Sequence, residues 1–597
     1  MLKIILNSTV IMMMVALFFT SIHAQKSDIS SVNLKKHVTF LASDSLKGRK
    51  PGTAEAMIAA TYIRDQFKSA GLKLLGKDGF QFFEILTSVG LGEKNMLSFP
   101  GFDGLPKRDF IPLSFSSNGF LDAPVVFVGY GLSIDQDSLK WNDYQGVEVK
   151  SKWIMVLRGD PELNSMNSKF IPYSSLWTKV LNAKDHGVAG ILLVTPKGMD
   201  DEDKLIPLAA ESNEMNSGIP LINISRSTAN ELLKSTGMTV DSLDQIMMKG
   251  KRSKSFNIDV KVKATVDVIQ KREKTANVMA LLEGNDPVLK NEYLVIGAHY
   301  DHLGMGGSGS GSRVPDTVAI HNGADDNASG TAMIIELARK FGKQKEKLKR
   351  SLIFIAFTGE EMGLIGSKYF TNNPPVDQKK IKTMFNFDMV GRFDKDKNSI
   401  MVGGTGTSLE ADSLLLTFEG NLPFKVAHSA DGYGPSDHAA FYASNIPVLY
   451  FNAGVHTDYH TPFDDIDKLD IETEKIIGDY AAGIITAVAN LNKALTFRES
   501  GKKESTGRTG RQFKVKLGIM PDFAGMEKRG LRVDGVTKDG PGDKGGLKKG
   551  DIIIGINGMK VGNIEEYMSR LMALKQGMTI SIEVIRGGKN EVLLIQL

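Results

Sequence analysis

Five short stretches of this chain hold the residue types that grip divalent cations: "HYDHLG" from His299, "NGADDNASG" from Asn322, "FTGEEMGLIGS" from Phe357, "NFDMVG" from Asn386 and "DYHTPFDD" from Asp458. The chain has no cysteine, which leaves His, Asp and Glu as metal ligands and excludes disulfides and thiol nucleophiles. Asp325 and Asp326 are neighbouring carboxylates set among very small residues. Their mutual repulsion disfavours a close, partly buried site unless a cation joins them.

The elements around these stretches explain how they could meet. Seven of the 10 histidines (His299, His302, His321, His428, His438, His456, His460) lie between residues 275 and 495. There apolar β runs alternate with helical stretches, the pattern of a mainly parallel sheet with helices on its faces. "YLVIGA" ends at His299, "LIFIAF" leads into "TGEE", "TMFNF" ends into Asp388, and "IPVLYF" leads into the loop holding His460. Open α/β sheets build their sites at that strand edge. Each stretch also has a purely structural reading. "HYDH" reads as a hydrogen-bonded turn, Glu360 and Glu361 suit the positive end of a helix, and Asn327 or Ser329 suits the N-cap of "TAMIIELARKF". The cap leaves the Asp pair unexplained, and the joint occurrence favours metal.

The five stretches, in this order, resemble the ligand-bearing motifs of metallopeptidase family 28, the di-zinc aminopeptidase type, over about residues 31–116 and 274–494. The resemblance implies a zinc-exopeptidase α/β fold. It implies two zinc ions per chain, with His299 and Asp388 on one, Glu361 and His460 on the other, and Asp326 bridging both. It implies Glu360 as general base and then acid, acting on a water bound by both zincs. Asp301, two residues past His299, is placed to accept the second imidazole N–H. Tyr459 matches a position whose phenol can hydrogen-bond the oxyanion. His456 competes with His460 for the last ligand place, and the following "TPFDD" favours His460. Asp437, in "GPSDHAAF", is a candidate neighbour of the ligands. Relatives have a cis peptide after the bridging aspartate, here Asp326–Asn327. His302, His321 and His438 receive no role. "GMGGSGSGSRVP" reads as a mobile loop near the site's mouth or a plain linker.

The remaining chain divides as follows. Residues 1–24 ("MLKIILNSTVIMMMVALFFTSIHA") read as a secretory signal peptide, with an uncleaved anchor helix as the rival, and no later segment approaches a membrane span. Residues 25–116 are assigned to the first part of the peptidase domain, with a helix ended by Gly71, and 271–496 to its main part. Residues 117–270 are read as strands with one helix in "SSLWTKVLNAKDHG" and resemble an inserted protease-associated domain, which is β-rich. Residues 497–512 are read as a linker. Residues 513–597 resemble a β-rich PDZ domain, with "KLGIM" as carboxylate-binding loop and a helix near 564–574 as the other groove wall.

The 597 residues carry a formal charge of +4, with 42% hydrophobic and 24% charged residues. That balance gives no reason to expect nucleic acid or an anionic membrane as partner. The reading is an exported zinc aminopeptidase of bacterial periplasm, envelope or extracellular space, acting on peptides. A peptide C-terminus or partner protein is expected at the PDZ groove. A glutamate-releasing carboxypeptidase, which would need a basic pocket built from Arg392 or Arg313, remains an alternative. So do a one-zinc glutaminyl cyclase and a non-catalytic binding protein on the same fold.

Overall fold

The computed structural model describes residues 29–597 except 137–138, 163–167, 209–215, 501–514, 516, 522–528, 537–539, 563 and 573. The signal-peptide reading and most of the proposed linker therefore lie outside the described residues. No described helix is long and apolar enough to cross a membrane.

The strands Ser351–Phe357, Tyr293–His299, Ile381–Phe387 and Val448–Asn452 lie side by side and parallel at the centre of a nine-stranded sheet. Each is almost wholly buried, as parallel strands covered on both faces must be. Leu294, Ile296 and Phe354 face the helices Ser31–Leu41, Ala54–Ser69, Gly330–Gly342 and Ile471–Asn490. Val295, Ile353 and Ile355 face the helices Ile365–Asn372 and His438–Tyr442 on the other side. Period-two alternation thus places two cores on one sheet. Antiparallel strands, among them the long Val268–Leu282, complete its edges.

A second, eight-stranded sheet is inserted between Phe80–Leu91 and Val268–Leu282. Those two strands pair with each other, Leu91 opposite Val268, so the insertion leaves and returns at neighbouring points. Its boundary differs from the sequence reading. Met96–Phe99, Phe102–Asp103 and Phe110–Pro112 pair within the inserted sheet, so the unit opens soon after Leu91 rather than at residue 117. Short β runs of this kind carry no local mark of which sheet they join, because that choice is made by partners far along the chain.

The third sheet holds Ile519–Pro521, Leu531–Val536, Ile552–Ile556, Thr579–Arg586 and Lys589–Gln596. Its helix Ile564–Met572 packs on the inserted unit's helix Leu176–Asp185. Lys184 Nζ lies 2.6 Å from Glu566 Oε1, and the Arg570 fork grips both oxygens of Asp185, Nη2 to Oδ1 at 2.7 Å. Buried side chains of the two units form one apolar cluster.

Candidate metal centre

The four parallel strands all run toward one edge, and the five motifs meet there. His299 closes its strand, Asp388 follows Phe387 directly, Glu360 and Glu361 stand three and four residues past Phe357, and His460 sits in the loop after Asn452. Asp326 comes from the tight turn Ala324–Ser329 that opens the helix Gly330–Gly342. Gly323 enters that turn with φ 55°, and a Cβ there would meet Asp326 O at 2.2 Å, so only glycine fits. Of the two expected caps, Ser329 takes the N-cap position without a side-chain cap bond, and Asn327 Oδ1 accepts the Gly330 N–H at 2.9 Å. Its Nδ2 donates to Phe387 O at 2.9 Å, tying the turn to the Asp388 strand. The Asp326–Asn327 peptide bond is cis.

The two oxygens of Asp326 face different imidazoles. Oδ1 is 3.2 Å from His299 Nε2, and Oδ2 is 3.1 Å from His460 Nε2. On the first side Asp388 Oδ1 is 3.5 Å from His299 Nε2; on the second Glu361 Oε2 is 3.1 Å from His460 Nε2. Glu360 Oε2 stands 4.0 Å from His299 Nε2. All five expected ligands therefore converge, in two sets sharing one carboxylate.

The donor set fits divalent cations. Asp388 Oδ1 is buried without a hydrogen-bond partner. His299, Asp326 and Asp388 bring ligand atoms within 4.8 Å of one another, and so do His302, Asp326 and Glu361. The electrostatics also call for positive charge. Burial opposes protonation of His299, yet Glu360 and Asp388 push its pKa well above the ordinary value. Burial likewise opposes protonation of His460, and hydrogen bonds to Asp326 and Glu361 raise it to about 10. The cluster draws protons onto its imidazoles, and a cation meets the same demand.

His302 is a participant that the sequence reading left without a role. Its Nδ1 is 2.8 Å from Glu361 Oε1 but 3.9 Å from Asp326 Oδ2. His460 Nε2 reaches both carboxylates at 3.1 Å, whereas His302 meets Glu361 alone at hydrogen-bond distance. His456, the rival for the ligand place, turns away: its Nε2 is 3.3 Å from Asp325 Oδ2.

The support around the centre is mostly backbone. His299 Nδ1 lies 3.2 Å from the Asp301 carbonyl and 3.7 Å from its carboxylate, so the carbonyl rather than the expected carboxylate is within hydrogen-bond reach. Asp301 Oδ1 instead accepts the Glu360 N–H at 3.3 Å. Asp464 accepts the N–H groups of Asp325 and Asp326 at 3.0–3.1 Å. Asp325, whose Oδ1 accepts from Gly391 and Arg392 at 2.8 and 3.0 Å, joins the turn to the Asp388 loop. Tyr459 stacks on His460 with ring centroids 3.8 Å apart.

Two further groups bear on the chemistry. Burial, reinforced by Glu361, Asp437 and Asp388, raises the Glu360 carboxyl well above its usual range, with His299 opposing. Asp437 is fully buried with both oxygens unpartnered, and burial pushes it up to about 7. Arg392, one of the candidates for a carboxylate pocket, is already paired with Asp458 at 2.7 Å.

A buried carboxylate shared by two histidine-bearing ligand sets, at the C-terminal edge of a parallel sheet, defines a metallo-exopeptidase. Residues 277–485 match the model of peptidase family M28. Residues 512–597 match the PDZ domain model. Among relatives, the chain is 23% identical over 395 residues to aminopeptidase YwaD of Bacillus subtilis (strain 168), covering 65% of this chain and 71% of that one. It is 31% identical over 173 residues to leupeptin-inactivating enzyme 1 of Streptomyces exfoliatus, covering 29% of this chain and 34% of that protein. Among solved structures, the aminopeptidase from Aneurinibacillus sp. strain AM-1 is 23% identical with a TM-score of 0.47, covering 79% of this chain and 95% of that one.

Proposed function

We propose that this chain is an exported aminopeptidase that removes N-terminal residues from peptides at a centre of two zinc ions. The observation that carries the reading is the two-sided placement of Asp326, 3.2 Å from His299 and 3.1 Å from His460. His299 and Asp388 would hold one ion, Glu361 and His460 the other, and Asp326 both. Bound there, the ions would supply Lewis-acid polarisation of the scissile carbonyl and a lowered pKa for the attacking water. Glu360 takes the water's proton on its carboxylate and returns it to the leaving amine nitrogen. Burial and the neighbouring carboxylates raise its proton affinity, which suits the second task. Tyr459, stacked on His460, would hydrogen-bond the oxyanion.

The inserted unit is read as a protease-associated domain that shapes substrate access, and the C-terminal domain as a groove for an extended peptide end. The pairing of Arg392 with Asp458 weighs against a glutamate-releasing carboxypeptidase, and a shared aspartate weighs against a one-zinc cyclase.

The test is metal analysis and a panel of aminoacyl chromogenic substrates on one purified sample. Two zinc ions per chain and cleavage of at least one aminoacyl substrate are expected. No cleavage across the panel by zinc-loaded protein, with Glu360→Gln leaving residual activity unchanged, would overturn the reading.

A further inference from the structure

We infer that Arg49 is the resident counter-cation and positioning residue of the metal centre, holding two ligand loops together and offsetting their carboxylates before any ion binds. The inference rests on the metal centre proposed above. Arg49 belongs to the N-terminal segment, far in sequence from every ligand, yet its side chain is 0% exposed.

The segment is shaped to deliver it. Lys47, Gly48 and Arg49 have φ of 44°, 70° and 48°, a left-handed run that is uncommon for the two long side chains and persists only where the surroundings enforce it. A Cβ on Gly48 would meet Gly304 O and His321 O at 2.5 Å each, so the turn is pressed against the loop that follows His299. Gly48 O accepts from Gly304 N at 3.0 Å, and Arg49 O from His302 N at 3.4 Å.

The guanidinium then reaches both ligand loops. Nε donates to Tyr300 O at 2.7 Å, between His299 and Asp301. Nη1 donates to Asn322 O at 2.6 Å and Nη2 to Gly323 O at 3.0 Å, just ahead of Asp326. Nη1 also bonds Leu41 O. These four acceptors are all carbonyls. Burial lowers the Arg49 pKa to about 10, and Asp301, Asp326, Asp464 and Glu361 oppose the loss of its proton, so the charge stays and faces the acidic cluster. Arg350, another fully buried arginine, differs: it pairs with Glu292 at 2.8 Å. A carbonyl-bound guanidinium keeps its field for the site, where carboxylates otherwise repel one another.

The test uses the full-length chain, chelated and then titrated with zinc chloride, with melting temperature as the readout. In the natural chain zinc raises Tm. In Arg49→Met the chelated form is destabilised more than the zinc form, so the zinc-induced rise is larger by at least about 3 °C. Arg49→Lys keeps the charge without the fork; both forms melt earlier and the rise stays as in the natural chain. Recovery of soluble Arg49→Met only when zinc is present is the same result in a stronger form. Equal zinc-induced rises in the natural chain and Arg49→Met overturn the role of Arg49 alone. If Arg49→Met is insoluble even with zinc, a changed rise in Arg49→Lys overturns it and an unchanged one supports it. No rise in the natural chain overturns the metal centre itself.

Discussion

The carbonyl oxygen of Gly311 lies 3.1 Å from His460 Nδ1, which leaves Nε2 of that ring facing Asp326 and Glu361. The glycine- and serine-rich stretch is therefore more than a linker at the mouth. Arg313 N also donates to His460 O at 2.9 Å, and Ser312 Oγ is 2.8 Å from His321 Nε2. Partners of a ligand's second ring nitrogen change metal affinity by about 10–100-fold. Deleting Gly307–Ser310 withdraws the Gly311 carbonyl and is expected to weaken one of two bound zinc ions by that factor. Chelator competition measures it; two unchanged affinities would return the loop to a plain linker.

Glu360 and Glu361 are adjacent in sequence but differ in surroundings. Glu361 is held by His302 and His460, at 2.8 and 3.1 Å, whereas Glu360 stands 4.0 Å from its nearest imidazole nitrogen. Glu360→Gln is expected to keep the zinc content and lose about 10²–10⁴-fold in kcat, the usual contribution of a positioned proton carrier. Glu361→Gln should lose zinc as well as activity. Zinc content and kcat measured on the same two variants separate the roles, and a Glu360→Gln enzyme of near-natural kcat would remove Glu360 from the mechanism.

The ligand motifs were legible because strand, turn and ligand are contiguous there: a buried run such as "LIFIAF" declares its strand, and the next few residues declare the site edge. His299, Asp326, Glu361, Asp388 and His460 come together for that reason. Arg49, Asp464 and the Gly311 carbonyl were not legible. Arg49 acts through carbonyls 251–274 residues away, Asp464 through N–H groups 138 and 139 residues away, and a carbonyl leaves no trace in a side-chain pattern. The insertion boundary was missed on the same ground, since Phe110–Pro112 finds its partner in Leu221–Ile224.

His438 gives a pH prediction with a definite sign. It is buried, stacked on Tyr450 at 4.4 Å with Nδ1 unpartnered, and burial pushes its pKa down to about 3. The unfolded chain takes this proton near pH 6.5 and the folded chain does not, so the unfolded state binds more protons between these values. The stability contribution is present above about pH 6.5 and is lost as pH falls toward 3, amounting to about 2 kcal/mol at pH 5. His438→Phe keeps a ring against Tyr450 and should show a shallower loss from pH 7 to pH 5 in denaturant titrations. Parallel losses in the two chains would assign the acid sensitivity elsewhere.

The C-terminal domain is fixed to the inserted unit through a reciprocal charge arrangement, Lys184 with Glu566 and Asp185 with Arg570. Glu566 and Arg570 are 2% and 5% exposed, so neither pair is an ordinary surface contact. The two residues stand one helical turn apart on Ile564–Met572 and face the last turn of Leu176–Asp185. Removing one partner leaves a buried charge with too few acceptors, whereas removing both does so less. A double-mutant cycle on Asp185→Ala and Arg570→Ala is expected to give a coupling of about 1–3 kcal/mol. Calorimetry on the single variants should split the C-terminal domain's melting from the rest of the chain, because the shared apolar cluster then carries the contact alone. Strictly additive effects with one undivided transition would mean that apolar packing, not the charge pairs, orients this domain.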